Sequence, residues 1–576
     1  MEQPYQRMRM PGHWFDELAS GGGSPEALGF LVTAERNRRL ILLAEVLDRV
    51  EERPGALAGL EAASTAWRLI TETVGERPMA VEELLLSPQV GCWAAHLLRR
   101  LHGSADGPPL WVDAGYLLAV CLTARALAGL DADLRVPVRD GAVALPTLGL
   151  VRLQPAGSGP RFTMATARLR GARLSLTQVG GHAATVTVAP LSERETPGWL
   201  PLRRLGPTTW LDDVDPYRDL AEPIAPTRLA EPEVRAWRRL YERAATIPRP
   251  APPAPGRLRV ADIRRIVPWT GASPRPRAGV LSATTGDAFG SMVVSRPPDG
   301  LALAEAMVHE FQHSKLGALL HLFPLLDDDR AEIHYAPWRP DPRHLTGLLH
   351  GAYAFVGVAG FWRDRMSEPS VVRADIAAFQ FALHRAQTGK AVRGLRASNR
   401  LTPAGRRLVD GLAGTLRGWR DEPVAPAIVA RAAAATVSHA VEWRLRHLRC
   451  PDEETAALAA GSRSGAYAAR IAAEPAPWAD DRLDLYRDPP RTPATPDELL
   501  AAGDPLAATA GYADRLRHAP DDPHALAGWL LATTTLHPHR RRLLRRPERF
   551  RAALTATGST PGTPEMDDVA DWLCAP

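Results

Sequence analysis

His309, Glu310 and His313 are the residues whose types and spacing most clearly could do chemistry. They fall in PPDGLALAEAMVHEFQHSKLGALLHLFPLL, an HExxH motif on a helical apolar pattern. Residues four apart on a helix are turned by about 40° and separated by about 6 Å along the axis, so both imidazoles can meet one metal ion. In zinc hydrolases the glutamate of this motif does not ligate; it takes a proton from the metal-bound water. The plain alternative is two histidines and a glutamate on a partly exposed helix. The flanking Leu303, Ala306, Met307, Leu316, Leu319 and Leu320 instead predict a buried helix. There such polar groups cost free energy unless something satisfies them.

The third ligand decides the class. One zinc-peptidase pattern needs Gly three residues after the second His and His three beyond that, but Leu316 and Leu319 stand there. His321 is about 12 Å further along a continuous helix, too far to share the ion. A glutamate from a later helix would complete another peptidase class, yet Glu332 reads as a loop residue beside Asp327, Asp328 and Asp329. His350 is the better candidate, on a second buried helix in PRHLTGLLHGAYAFVGVAGFWRDRM, where His350-Gly351 would allow close helix packing. A core histidine satisfied by backbone is its bland reading. His334 and His344 read as loop residues, and His384 is a weaker candidate. Between the two helices, Tyr335, Trp338, Arg339 and Arg343 sit in a proline-stiffened loop. Arginine is the natural fork for a carboxylate, which suggests an anionic ligand such as a 2-oxo acid or a peptide carboxylate. Surface arginines on a tight turn are the alternative.

Around this motif the chain is long, at 576 residues, and too long for one core. Five segments are expected: a helical region at 1–135, a β-rich insert at 136–206, a connector with a Pro-rich linker at 207–256, a helical HExxH core at 257–480, and a tail at 490–576. The insert shows short alternating runs broken by Gly and Pro. The tail resembles one tetratricopeptide-like helical hairpin around Pro520-Asp521-Asp522-Pro523.

Lys and Arg total 70 against 65 for Asp and Glu, and only Lys315 and Lys390 are lysines. The Arg excess reads as coding bias, so no nucleic-acid partner is expected. The basic run at 537–551 reads as a solvated helix face. No uninterrupted apolar run of membrane-spanning length occurs, and the start has no signal-like segment. Cys92, Cys121, Cys450 and Cys574 form no CxxC pair, which argues for a reducing compartment. A cytoplasmic protein without a membrane partner is expected.

The HExxH segment also carries a resemblance, together with ASGGGSPEAL, RRLILLAEVL, SPQVGCWAAHLLRRL, LPTLGLVRL, SATTGDAFGSMVVSRPPDG and YAPWRPDPRHLTGLLHG. The chain resembles the HExxH-motif, 2-oxoglutarate-dependent peptide β-hydroxylases of ribosomal-peptide modification clusters. That resemblance implies Fe(II), 2-oxoglutarate and O2 acting on a ribosomally made precursor peptide, with a radical SAM maturase of the same cluster as a further partner. It implies His309 and His313 as iron ligands, to which His350 is added as an inferred third. Glu310 would act beside the ion, and Arg339, Arg343 and Tyr335 would hold 2-oxoglutarate. Ser282, Thr284 and Asp287 are candidates to line the site. The expected fold is mainly α with a β-rich insert, an HExxH helical core and the tetratricopeptide-like tail, and not a cupin or jelly-roll oxygenase. A zinc HExxH peptidase and a non-catalytic peptide-binding scaffold remain the alternatives.

Overall fold

A computed structural model describes residues 8–575 apart from 156, 158, 181–183, 221, 248–253, 256–257, 270, 272–279, 329, 369–371, 463–468, 472–477 and 479–480. The Pro-rich stretch at 248–256 thus lies almost wholly outside the described residues. The chain divides into two compact units. The first comprises Met1–Leu18, Gly23–Pro253 and Arg257–Phe323; the second comprises Ala19–Gly22, Ala254–Gly256 and Pro324–Pro576. The change after Phe323 falls inside the 257–480 segment.

The first unit opens with α1 (Gly12–Ala19), α2 (Pro25–Glu51), α3 (Ala63–Glu76), α4 (Pro78–Leu85), α5 (Pro88–Leu101) and α6 (Leu110–Ala128). Ser24 starts α2 by accepting from the Ala27 N–H at 3.2 Å, with Pro25 in the first turn where its missing N–H costs nothing. Seven strands follow: β1 (Ala132–Arg139), β2 (Ala142–Leu145), β3 (Gly149–Arg152), β4 (Phe162–Arg170), β5 (Arg173–Gln178), β6 (Thr185–Val188) and β7 (Trp199–Pro201). They pair antiparallel throughout in the order β6-β5-β4-β1-β2-β3-β7, with β1 and β4 matched over eight residue pairs from Ala132↔Leu169 to Arg139↔Phe162. Leu134, Val136 and Val138 alternate inward and share one core with Tyr116, Leu117, Val120 and Cys121 of α6.

This sheet overturns the expected fold class. A large, nearly closed, barrel-like antiparallel sheet fits a β-rich domain of the cupin or jelly-roll kind, which the sequence reading had excluded. The strands looked like a minor insert because each is short and Gly/Pro-bounded. The pairings of β1 with β4 and of β3 with β7 are non-local, and they join the local hairpins into the body of a core shared with α2 to α6.

A second sheet takes one strand from the expected β-rich insert, one from the connector and three from the segment expected to be a helical core. β8 (Arg203–Arg204), β9 (Trp210–Leu211), β10 (Arg265–Pro268), β11 (Ser282–Ala283) and β12 (Ser291–Val294) order as β11-β12-β10-β9-β8. β10 runs parallel to both β9 and β12, and β11 is antiparallel to β12. Beside it are α7 (Glu231–Thr246) and α8 (Gly300–Leu322), the helix that carries the HExxH motif.

The second unit contains α9 (Leu345–Arg365), α10 (Ala374–Ala397), α11 (Pro403–Gly418), α12 (Pro426–His447), α13 (Asp452–Ala459), α14 (Asp481–Arg487), α15 (Pro496–Ala502), α16 (Pro505–His518), α17 (Pro523–Leu536), α18 (Pro547–Thr557) and α19 (Pro564–Cys574). The tetratricopeptide-like tail is not found. Leu516 of α16 and Leu526 and Leu530 of α17 share one core with Val441 and Leu445 of α12, Phe550 of α18 and Met566 of α19. The helical hairpin is therefore one layer of a larger bundle. Within the basic run, Arg540 is buried against Asp567 at 2.5 Å and Asp571 at 2.7 Å, so it is not part of a solvated face.

Helices α6 and α9 are long and apolar enough to cross a membrane by length and composition. Their windows are 72% and 78% buried inside the folded chain, which is how a core helix passes the same test.

Candidate metal centre on the HExxH helix

Asp299 begins α8 by accepting from the Ala302 N–H at 2.8 Å, which leaves the next six turns to the apolar pattern. Leu303, Met307, Leu316 and Leu319 are fully buried, and they fix which face His309 and His313 present. The two imidazoles meet: His309 Nε2 and His313 Nε2 stand 3.1 Å apart, with the rings edge to face. Two nitrogens at ~2.1 Å from one ion and 3.1 Å from each other subtend about 95° at it, within the range of octahedral and tetrahedral sites. Burial pushes the His309 imidazole down to about 4, so the ring is neutral at neutral pH.

Glu310 is 1% exposed. Its Oε1 accepts from the Ser282 hydroxyl at 2.6 Å and lies 4.0 Å from His309 Nε2. Its Oε2 is buried without a hydrogen-bond partner among the described residues. Burial pushes the carboxyl up to about 7, and the Ser282 bond opposes that shift. A carboxylate oxygen left without a donor beside two converging imidazoles fits a divalent ion with a bound water. The described residues supply two such ligands; among them no group of three or more His, Cys, Asp or Glu is placed to hold a metal.

The loop from β11 to β12 positions Ser282. Gly290, at φ 75°, turns the chain where a Cβ would stand 2.8 Å from the Asp262 carbonyl, and its N–H donates to Ser314 Oγ of α8 at 3.3 Å. Arg38 of α2 anchors the same loop through Asp287 at 2.7 Å. Of the three expected lining residues, only Ser282 has a hydrogen bond to the motif. Thr284 donates to the Ser291 carbonyl, and Asp287 is taken by Arg38.

His321 pairs with Glu35 at 2.7 Å, a satisfied contact on the far part of α8. Tyr335, Arg339, Arg343 and His350 all belong to the second unit, whereas His309, Glu310, His313 and Ser282 belong to the first. Arg339 and Arg343 pair with Asp341 between them, at 3.0 and 3.4 Å, so their forks already hold a carboxylate. Tyr335 shares a 2.7 Å hydrogen bond with His439 and packs edge-on against Trp443. Gly351, beside His350, makes room for a ring rather than a helix: a Cβ there would stand 2.2 Å from the Trp338 indole. His344 caps α9 and pairs with Asp328 at 2.9 Å. His384 is buried and stacks on Phe355.

Two buried polar groups escaped the sequence reading. Asp212 and Asp215 are enclosed in the first unit, where burial and the neighbouring Asp212 push Asp215 up to about 7. The acidic run Asp212-Asp213-Val214-Asp215 was the available signal. Glu442, Arg482, Asp497 and His524 form the second group, and nothing in their spacing announces it.

No protein-family model matches this chain, and no curated protein matches it. The geometry of α8 therefore stands beside the motif resemblance as the ground for a functional reading.

Proposed function

We propose that this chain is a metal-dependent enzyme whose ion is held by His309 and His313. We further propose that its reaction is the Fe(II)- and 2-oxoglutarate-dependent β-hydroxylation of a side chain in a ribosomally made precursor peptide, with O2 consumed and succinate and CO2 released. The observation that carries the metal reading is the 3.1 Å approach of the two Nε2 atoms beside Oε2 of Glu310, which has no hydrogen-bond partner among the described residues. The choice of reaction rests on the resemblance of VHEFQHSKLGALL and its companion segments to the peptide hydroxylases.

When bound, Fe(II) supplies oxygen activation coupled to oxidation of 2-oxoglutarate. The residues of the chain do the rest. His309 offers a neutral nitrogen because burial disfavours its imidazolium. Glu310, held near neutrality, takes up or releases a proton at Oε2 while Ser282 fixes Oε1. The buried flanks of α8 keep bulk water from this carboxylate, which strengthens each contact it makes. Cys92, Cys121, Cys450 and Cys574 are all free thiols, which supports placing the protein in the reducing cytoplasm.

Glu310 also favours a second reading, zinc-dependent peptide hydrolysis, because a buried carboxyl near neutrality is the proton acceptor such a reaction needs. Reconstitution with Fe(II) under argon, followed by 2-oxoglutarate, O2 and a candidate precursor peptide, separates the readings by mass spectrometry. The hydroxylase reading expects a gain of one oxygen that requires 2-oxoglutarate and disappears in His309→Ala. Peptide fragments formed with zinc alone would replace it with the hydrolase. Unchanged peptide with either metal would leave only a binding scaffold.

A further inference from the structure

Lys390 is set apart by its chemistry rather than by a motif. Only two of the 70 Lys and Arg residues are lysines, and arginine does not give up its proton. A lysine is therefore where this chain can offer a neutral amine. Lys315 is sealed at 2% exposure, whereas Lys390 on α10 is half-buried, so small reagents reach it. The Lys390 ammonium stands 4.6 Å from the centre of the Tyr335 ring, and Tyr335 is fixed by His439 and Trp443 of α12. Among the described residues no carboxylate pairs with it. The charges that act on it are both positive, Arg444 of α12 and Arg393 three residues further along α10. Arg444 is held by Glu548. Arg393 is exposed, has no carboxylate partner among the described residues, and places Nη1 3.5 Å from where a Cβ on Gly389 would stand. Its guanidinium thus lies along the turn that carries Lys390, an i, i+3 pair of like charges. The Tyr335 face favours the ammonium, but burial and the two guanidiniums outweigh it and lower the amine to about 8. About a tenth of it is neutral at pH 7, against less than about a thousandth for an ordinary lysine.

We propose that Lys390 Nζ is an acceptor for carbon dioxide, held as a carbamate by Arg393. The neutral amine attacks the carbon: an N–C bond forms, one C–O π bond opens onto its oxygen, and Nζ releases a proton to water. No oxidant or further reactant is needed. Lys390 then carries one negative charge in place of one positive charge, so its repulsion with Arg393 becomes an i, i+3 ion pair. An imine with an aldehyde would add bulk to an amine packed on a ring and would bring no negative charge. The cluster of three cations favours the anionic product, and the half-buried position favours the smallest electrophile. The proposal does not rest on the metal reading.

The full chain is equilibrated with carbon-13 bicarbonate near neutral pH, ethylated with a trialkyloxonium salt to trap carbamates, digested and read by mass spectrometry. The expected result is a labelled ethyl carbamate on Lys390 and none on Lys315. Occupancy rises severalfold between about pH 7 and pH 8 at fixed carbon dioxide pressure, following the neutral amine. Lys390→Arg, with a circular dichroism spectrum like that of the parent, abolishes the label. Arg393→Gln removes the counter-ion and cuts occupancy about threefold. A carbon-13 carbamate resonance in the intact chain, absent in Lys390→Arg, is the matching signal without trapping. No label on Lys390, equal label on Lys315, or occupancy unchanged in Arg393→Gln would overturn the proposal. A cyanoborohydride-fixed adduct of Lys390 with glyoxylate, in place of the carbamate, would overturn it in favour of an imine.

Discussion

The HExxH segment of α8 and the charged knot of the second unit bury similar groups to opposite ends. In the knot, Arg482 is 1% exposed and pairs with Glu442 and, at 3.3 Å, with Asp497. His524 bridges the same two carboxylates at 3.0 Å each, and Tyr512 donates to Asp497 at 2.6 Å. Each of these buried side-chain polar atoms has a partner, whereas Oε2 of Glu310 has none among the described residues. A satisfied network fixes α12, α14, α15 and α17 in one arrangement. Burial alone does not mark a reactive site, and neither does a missing partner alone, since Gln89 also buries a polar atom without one among the described residues. What sets Glu310 apart is that its atom lies beside two converging imidazoles.

The largest effect expected is on turnover. Glu310→Gln keeps the shape and the Ser282 contact but removes the proton acceptor, so activity falls about 10²–10⁴-fold, while chemical denaturation shows stability unchanged or higher. A variant that loses stability and keeps turnover would put Glu310 in the same class as the knot.

Arg482→Met is the matching change in the knot. It strands Glu442 and Asp497 in the interior, and urea unfolding should report a loss of about 3–5 kcal/mol with metal affinity unaltered. A loss below about 1 kcal/mol would show that Arg446 and His524 alone satisfy Glu442.

Proton linkage separates the regions by pH window. Burial disfavours the His524 imidazolium, but Asp497 and Glu442 more than compensate and raise it to about 9, above its ordinary 6.5. Its contribution, about 3 kcal/mol at most, is therefore complete below pH 6.5 and lost as pH rises through 9. In the metal-free chain the Glu310 carboxyl, raised from 4.5 to about 7, makes stability fall between those two values instead. Unfolding free energies measured from pH 4 to pH 10 should lose the upper slope in His524→Gln and the lower slope in Glu310→Gln. If either substitution flattens both slopes, the two regions are not independent.

The smallest effect belongs to Ser282→Ala. Removing the hydroxyl takes away the one contact that holds the Glu310 carboxyl down, so the acid limb of the rate profile moves to higher pH and activity at pH 7 drops about tenfold. An unshifted limb would make Ser282 a spacer.

The part of the site visible in the sequence is the part that depends on one helix. An i, i+4 pair of histidines meets wherever the helix forms, so His309 and His313 needed only local periodicity. Ser282 came to Glu310 through a strand pairing, and its spacing from the motif carried no such rule. Arg339 and Arg343 each pair with Asp341, a local partner two residues away that Arg-Pro-Asp-Pro-Arg already displays in the sequence. In the fold, alternation disclosed the strands of 136–206, but β1 pairing with β4 across β2 and β3 is a tertiary choice. The sheet it builds is what contradicted the expected architecture. The tail failed for a similar reason: a helical hairpin reads alike whether it repeats or joins α12, α18 and α19 in one core.

The central claim, that α8 holds a catalytic metal through His309 and His313, is tested most directly by anaerobic Fe(II) titration of the full chain with bound metal measured after desalting. The account predicts one ion per chain, and an affinity about 100-fold weaker or worse in His309→Ala and His313→Ala with both variants folded. Equal metal retention in the variants, or none in the parent chain, would contradict it.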